Sequence, residues 1–128
     1  MSTHEIAAKL VEYCNTGKSI DAINELYADD IVSVESAPMP GLGQEAKGKE
    51  AILGKNEWWI NAHEVHDLGA KGPYLIQGSD QFGVIFNIDV TNKESGQRYQ
   101  ADEIALYTVA DGKIVKEEFF AQPMPPQG

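Results

Sequence analysis

The groups able to do chemistry in this chain are mostly carboxylates. In "LYADDIVSVES", Leu26 to Ser36, a helix ends at Asp29 and Asp30 and a β-branched run, Ile31, Val32 and Val34, opens a strand carrying Glu35. Pattern alone makes Val32 and Val34 the buried set and leaves Glu35 at a solvated strand end. Turned into a pocket instead, the same carboxylate becomes a candidate general base or acid, because desolvation lifts a carboxyl toward the operating pH. Glu103 and Glu117 lie on later strands. "HEVH" holds His63 and His66 three apart, which is not the four-residue spacing by which two helical histidines share a metal. No metal site is therefore expected. His63 is read as a pocket-rim residue, and an imidazole's ordinary pKa of about 6.5 suits proton transfer. Cys14 shares a helical face with Leu10 and reads as a buried, inert thiol with no basic neighbour to activate it.

These residues need elements to position them. Ser2 and Glu5 have capping-box spacing, and Ile6, Leu10, Tyr13 and Cys14 follow on one helical stripe that ends at Asn15-Thr16-Gly17. A second short helix starts near Ser19, with Ile20, Ile23 and Tyr27 as its apolar face. "APMPGLGQEAKGKE" is dense in proline and glycine and reads as a loop, with Met39 a candidate lid over a cavity mouth. "KEAILGKNEWWINAH" reads as a third helix with Ile52, Trp59 and His63 on one side and Trp58 on its flank. From Val65 the period becomes two: Phe82, Val84, Phe86, Ile88 and Val90 alternate with polar or small residues. A long strand follows from about Arg98 to Val109, then "ADGK" turns into "KIVKEEFFA". A three-residue loop with a bulge at Gly112 pairs Val109 with Lys113 and puts Glu103, Ala105, Tyr107 and Glu117 on one face. A two-residue turn at Asp111-Gly112 puts Glu118 there instead. Residues 1–122 are read as a single domain and 123–128, with three prolines, as a flexible tail.

Composition bounds the partners. Ten Lys and Arg against twenty Asp and Glu give a net charge of −10, which repels nucleic acid and anionic membrane surfaces. The first residues, "MSTHEIAAKL", lack the basic start and apolar core of a secretory signal. With a single cysteine, a reducing cytoplasm is expected. No glycine-rich nucleotide loop occurs, so no cofactor is implied.

The run "AINELYADDIVSVES", then "GKEAI" opening a helix, then "EIALYTVADGKIVKEEFF", resembles the SnoaL-like branch of the nuclear transport factor 2-like and ketosteroid isomerase-like superfamily. The resemblance spans about Thr3 to Ala121. It implies an α+β fold, a cone-shaped curved antiparallel sheet wrapped around three N-terminal helices, with an apolar cavity between them. It implies a pocket role for Glu35, which stands five residues beyond the second Asp of "YADD", where isomerase-like members carry their base. Their second acid aligns with Ala105, so Glu103 would have to replace it from another depth. Their helix-one tyrosine aligns with Val11, with Tyr13 nearby. Steroid isomerisation by the familiar constellation is not expected.

Two functions stay open. One is an acid–base enzyme, of isomerase, cyclase or dehydratase/hydratase type, on an apolar molecule with a polar handle. It would use Glu35, Glu103, Glu117 and His63, and Tyr13, Trp59, Phe86, Tyr107 and Phe119 would hold the ligand. The other is a non-catalytic ligand-binding or protein-interaction domain. A homodimer through the outer sheet face at Ile104, Leu106 and Thr108 is the expectation for the fold.

Overall fold

A computed structural model describes residues 1–39 and 43–122, with only the backbone of Met39. The chain runs α1 (Thr3–Asn15), α2 (Ser19–Leu26), β1 (Tyr27–Met39), β2 (Gly43–Lys47), α3 (Lys49–Ala62), β3 (His63–Leu75), β4 (Gln81–Asn92), β5 (Arg98–Ala110) and β6 (Lys113–Ala121). The capping box forms as its spacing predicts: Ser2 accepts from the Glu5 backbone, and the Glu5 side chain reaches back to the Ser2 backbone. α1 stops at Thr16, and Gly17 takes the positive φ of 71° that turns the chain toward α2.

The six strands form one sheet in the order β2-β1-β6-β5-β4-β3. It is a curved open sheet carrying the three helices, the α+β architecture expected. Two details differ from the sequence reading. β1 and β6 pair in parallel, so the sheet is antiparallel everywhere except at that seam. Part of the Pro/Gly-rich stretch is strand: β1 extends to Met39, and β2 pairs with it. The Met39 lid and the tail at 123–128 fall on side chains and positions outside the described residues. Among the described residues no helix is long and apolar enough to cross a membrane.

Buried side chains from the helices and the inner sheet face meet in one core. Ile6 and Leu10 of α1, Ile23 and Leu26 of α2, and Ile52 of α3 pack on Ile31, Phe82, Val84, Ala105, Tyr107 and Ile114. The α2 face is Ala22, Ile23 and Leu26, whereas Ile20 is exposed and Tyr27 already belongs to β1. Phe82 stacks on Tyr107 with ring centroids 4.9 Å apart and closes the core beneath the cavity.

Candidate functional site

Above this core the helices and the sheet leave a cavity of about 580 Å³. Glu35, Glu103, Glu117, Trp59, Phe86 and Phe119 line it, and Tyr107 reaches its floor. The strand carrying Glu35 is turned opposite to the pattern reading: Ile31 and Ser33 are fully buried, and Val32 and Val34 lie on the other face. Glu35 follows Ser33 on the inward side by the two-residue period of the strand.

The β5–β6 hairpin brings the other two carboxyls to the same cavity by a register that differs from both turn readings. Asp111 and Gly112, with φ of 52° and 75°, make a two-residue turn, and Ala110 pairs with Lys113. That turn alone would carry Glu118 inward. A bulge intervenes: Val109 pairs with Ile114 but Thr108 with Lys116, leaving Val115 extra. Tyr107 is then opposite Glu117, not Val115, and Ala105 is opposite Phe119. Glu117 is 3% exposed, while Glu118 stands opposite Leu106 on the outer face beside Lys116.

A lysine passed over in the sequence organises these groups. Lys55 on α3 donates to Glu35 Oε1 at 2.5 Å and to Ser33 Oγ at 2.8 Å, and its Nζ lies 5.8 Å from the centroid of the Phe119 ring. The Lys55 and Glu35 side chains are only 13% and 23% exposed, so each charge depends on the other for compensation. Ser33 continues the chain to Glu117, whose carboxyl also accepts from the buried Tyr27 hydroxyl. The Tyr27 hydroxyl in turn meets that of Tyr107. Among the described residues no buried side-chain nitrogen or oxygen is left without a partner.

The electrostatics separate the carboxyls. Desolvation raises Glu117 above the usual carboxylate range, against the hydrogen bonds from Tyr27 and Ser33 and the Lys55 charge, which lower it. Glu103 is pushed up to about 7, first by burial and then by the Glu35 charge, with Lys55 opposing and Glu117 adding. No hydrogen bond from the described residues contributes to the shift at Glu103. Burial holds Tyr27 and Tyr107 far above the ordinary phenol range, and both remain protonated donors. The Cys14 thiol, on the cavity wall, is pushed up to about 11 by burial, which keeps it from acting as a thiolate near neutrality.

Two expected residues lie elsewhere. Tyr13 is outside the cavity lining; its hydroxyl donates to Glu25, which also holds Lys9 on the outer side of α1 and α2. Tyr27 and Tyr107 supply the buried hydroxyls in its place. His63 is also absent from the lining: its Nδ1 lies 2.8 Å from the Trp59 carbonyl, and its ring stacks on the Trp59 ring at 4.7 Å. It buttresses the wall. His66, further along β3, lines the cavity and is bound to Thr91 Oγ1 at 2.7 Å. Trp58 is 51% exposed while Trp59 faces in, the division that adjacent helical tryptophans require. Among the described residues no three His, Cys, Asp or Glu side chains are grouped to hold a metal ion.

The comparisons with known proteins agree with this architecture. A solved structure from Mesorhizobium loti, named as a candidate SnoaL-like polyketide cyclase, is 41% identical; the match covers 94% of this chain and 99% of that one, with a TM-score of 0.86. A candidate isomerase from Bacillus subtilis is 21% identical, covering 96% of this chain and 91% of its own, with a TM-score of 0.75. A candidate SnoaL-like polyketide cyclase from Jannaschia sp. CCS1 is 17% identical, covering 93% and 84%, with a TM-score of 0.71. At these last two identities the likeness is one of fold. No curated protein matches the sequence. The family model described as SnoaL-like domain matches residues 1–121. The chain therefore belongs to the SnoaL-like domain family.

Proposed function

We propose that this chain is a small-molecule pocket protein working as an acid–base enzyme, of isomerase, cyclase or dehydratase/hydratase type, on an apolar organic molecule with a polar handle. The observation that carries the reading is Glu103: a carboxyl on the wall of an aromatic cavity, titrating at about 7. Near neutrality such a group is half protonated, the condition under which it can both take a proton and return it. Glu35 has a different role here. Its carboxylate is held by Lys55 and serves as the counter-charge that keeps an ammonium inside the cavity. Glu117 accepts from Tyr27, and its burial raises its carboxyl, which disfavours a second negative charge beside Glu103. The relatives named as candidate cyclases and isomerases support this class of reaction. No step in the reading calls for a cofactor. The acidic surface favours a small molecule over nucleic acid or a membrane, and a cytoplasmic setting suits the lone cysteine.

The test does not require the natural substrate to be identified. Apolar ketones sized for the cavity are incubated with the protein in D2O, and deuterium exchange next to the carbonyl is followed by NMR. Exchange that rises with pH to a plateau above about 7, and falls at least a hundredfold in Glu103→Gln, is expected. Exchange at the rate of buffer alone across the panel would leave a binding domain without turnover.

A further inference from the structure

We infer that the cavity is a receptor for lipophilic ammonium ions, which occupy it with the positive nitrogen on Glu103 and compete there with uncharged substrates. The inference rests on the reading that Glu103 faces the ligand. Four acidic residues line the cavity: Glu35 from β1, Asp67 from β3, Glu103 from β5 and Glu117 from β6. The basic groups on the wall are Lys55 of α3 and His66 of β3. Both are engaged, Lys55 by Glu35 and Ser33, and His66 by Thr91. Asp67 accepts from Asn87 and Glu117 from Tyr27, so Glu103 is the carboxyl left facing the space with no hydrogen-bond donor and no ion pair among the described residues, the Lys55 charge acting on it from beyond contact.

The walls suit such a guest. Trp59, Phe86, Tyr107 and Phe119 present aromatic surface, which attracts a cation and solvates its hydrocarbon body alike. Phe119 already carries one cation, the Lys55 ammonium. A net charge of −10 also concentrates cations around the molecule. An arriving ammonium relieves the repulsion of Glu103 by the Glu35 charge; a carboxylate guest would add to it. Whether the guest enters as amine or ammonium, the complex is the same: nitrogen protonated, Glu103 ionised, with the balance of protons exchanged with solvent.

Three rigid probes of one shape, adamantan-1-amine, adamantan-1-ol and adamantane-1-carboxylate, separate the possibilities by calorimetry. At pH 8 the amine is expected to bind at least tenfold tighter than the alcohol, and the carboxylate most weakly. Between pH 8 and pH 6 the amine should weaken about tenfold, as Glu103 takes up its proton, while the alcohol changes little. The control is Glu103→Gln, which leaves His66 and the rest of the wall in place and in which the amine's advantage over the alcohol disappears. If the alcohol binds as tightly as the amine, or the advantage survives in Glu103→Gln, the inference fails while the pocket reading stands. If none of the three binds, both fail. Should the variant not fold, the pH dependence in the unmodified protein decides: an amine advantage that does not fall between pH 8 and pH 6 overturns the inference.

Discussion

Glu103 carries a consequence for stability that is independent of any ligand. Its carboxyl stands at about 7 in the folded chain against 4.5 for an ordinary glutamate. The folded protein therefore holds a proton there that the unfolded chain has already released. Its contribution to stability is complete below about pH 4.5 and is lost as pH rises toward 7. The difference amounts to roughly 3 kcal/mol at pH 8. Glu103→Gln removes the ionisation, so its melting temperature should exceed that of the parent by several degrees at pH 8 and match it at pH 5. Equal melting temperatures at both pH values would contradict the burial assigned to this group. Lys55 shows why part of the site was hidden in the sequence. A lysine between Gly54 and Asn56 on a helix reads as solvated, and only the tertiary position of β1 places Ser33 and Glu35 under its ammonium. Tyr13 and His63 failed for the converse reason. Their spacing put them near the cavity, and Glu25 and the Trp59 carbonyl took their polar atoms elsewhere.

At the scale of elements, local chemistry was readable where it was self-contained. The Ser2–Glu5 box and the Gly17 turn bound α1 where their residue types predict. Ser2→Ala should cost about 1 kcal/mol through loss of the cap, measured by denaturant unfolding; no change in midpoint would mean the helix start is held by its packing alone. Strand faces were less legible. β1 has β-branched residues on both sides, so Ile31, Val32 and Val34 did not say which side is buried. In β6 the inward residues Ile114 and Glu117 are three apart, which breaks the period of two and marks the Val115 bulge. Without that bulge the two-residue turn would have delivered Glu118 to the cavity. β2 was missed because glycine and proline dominate its surroundings, although its pairing needs only a short edge strand beside β1.

The whole molecule was the most legible scale, since the order of motifs specifies a superfamily even where each is soft. Its outer face leads to a proposal about assembly. Ile104 and Phe120 are cross-strand neighbours, 51% and 53% exposed, beside Leu106 and Thr108 on the convex side of β5 and β6. We propose that this face forms a homodimer by an isologous contact. Leu106→Glu should then yield a monomer by light scattering, with the cavity intact on the other face. A dimer that persists in this variant would refute that interface.

The central claim is that Glu103 is a free, desolvated carboxyl poised for proton exchange near neutrality. It is tested most directly by carbon-13 NMR titration of the side-chain carboxyls, with Glu103 assigned by its absence in Glu103→Gln. A midpoint near 7 that drops on adding adamantan-1-amine is the predicted result. A midpoint near 4.5 would contradict the account, because Glu103 would then be an ordinary solvated carboxylate.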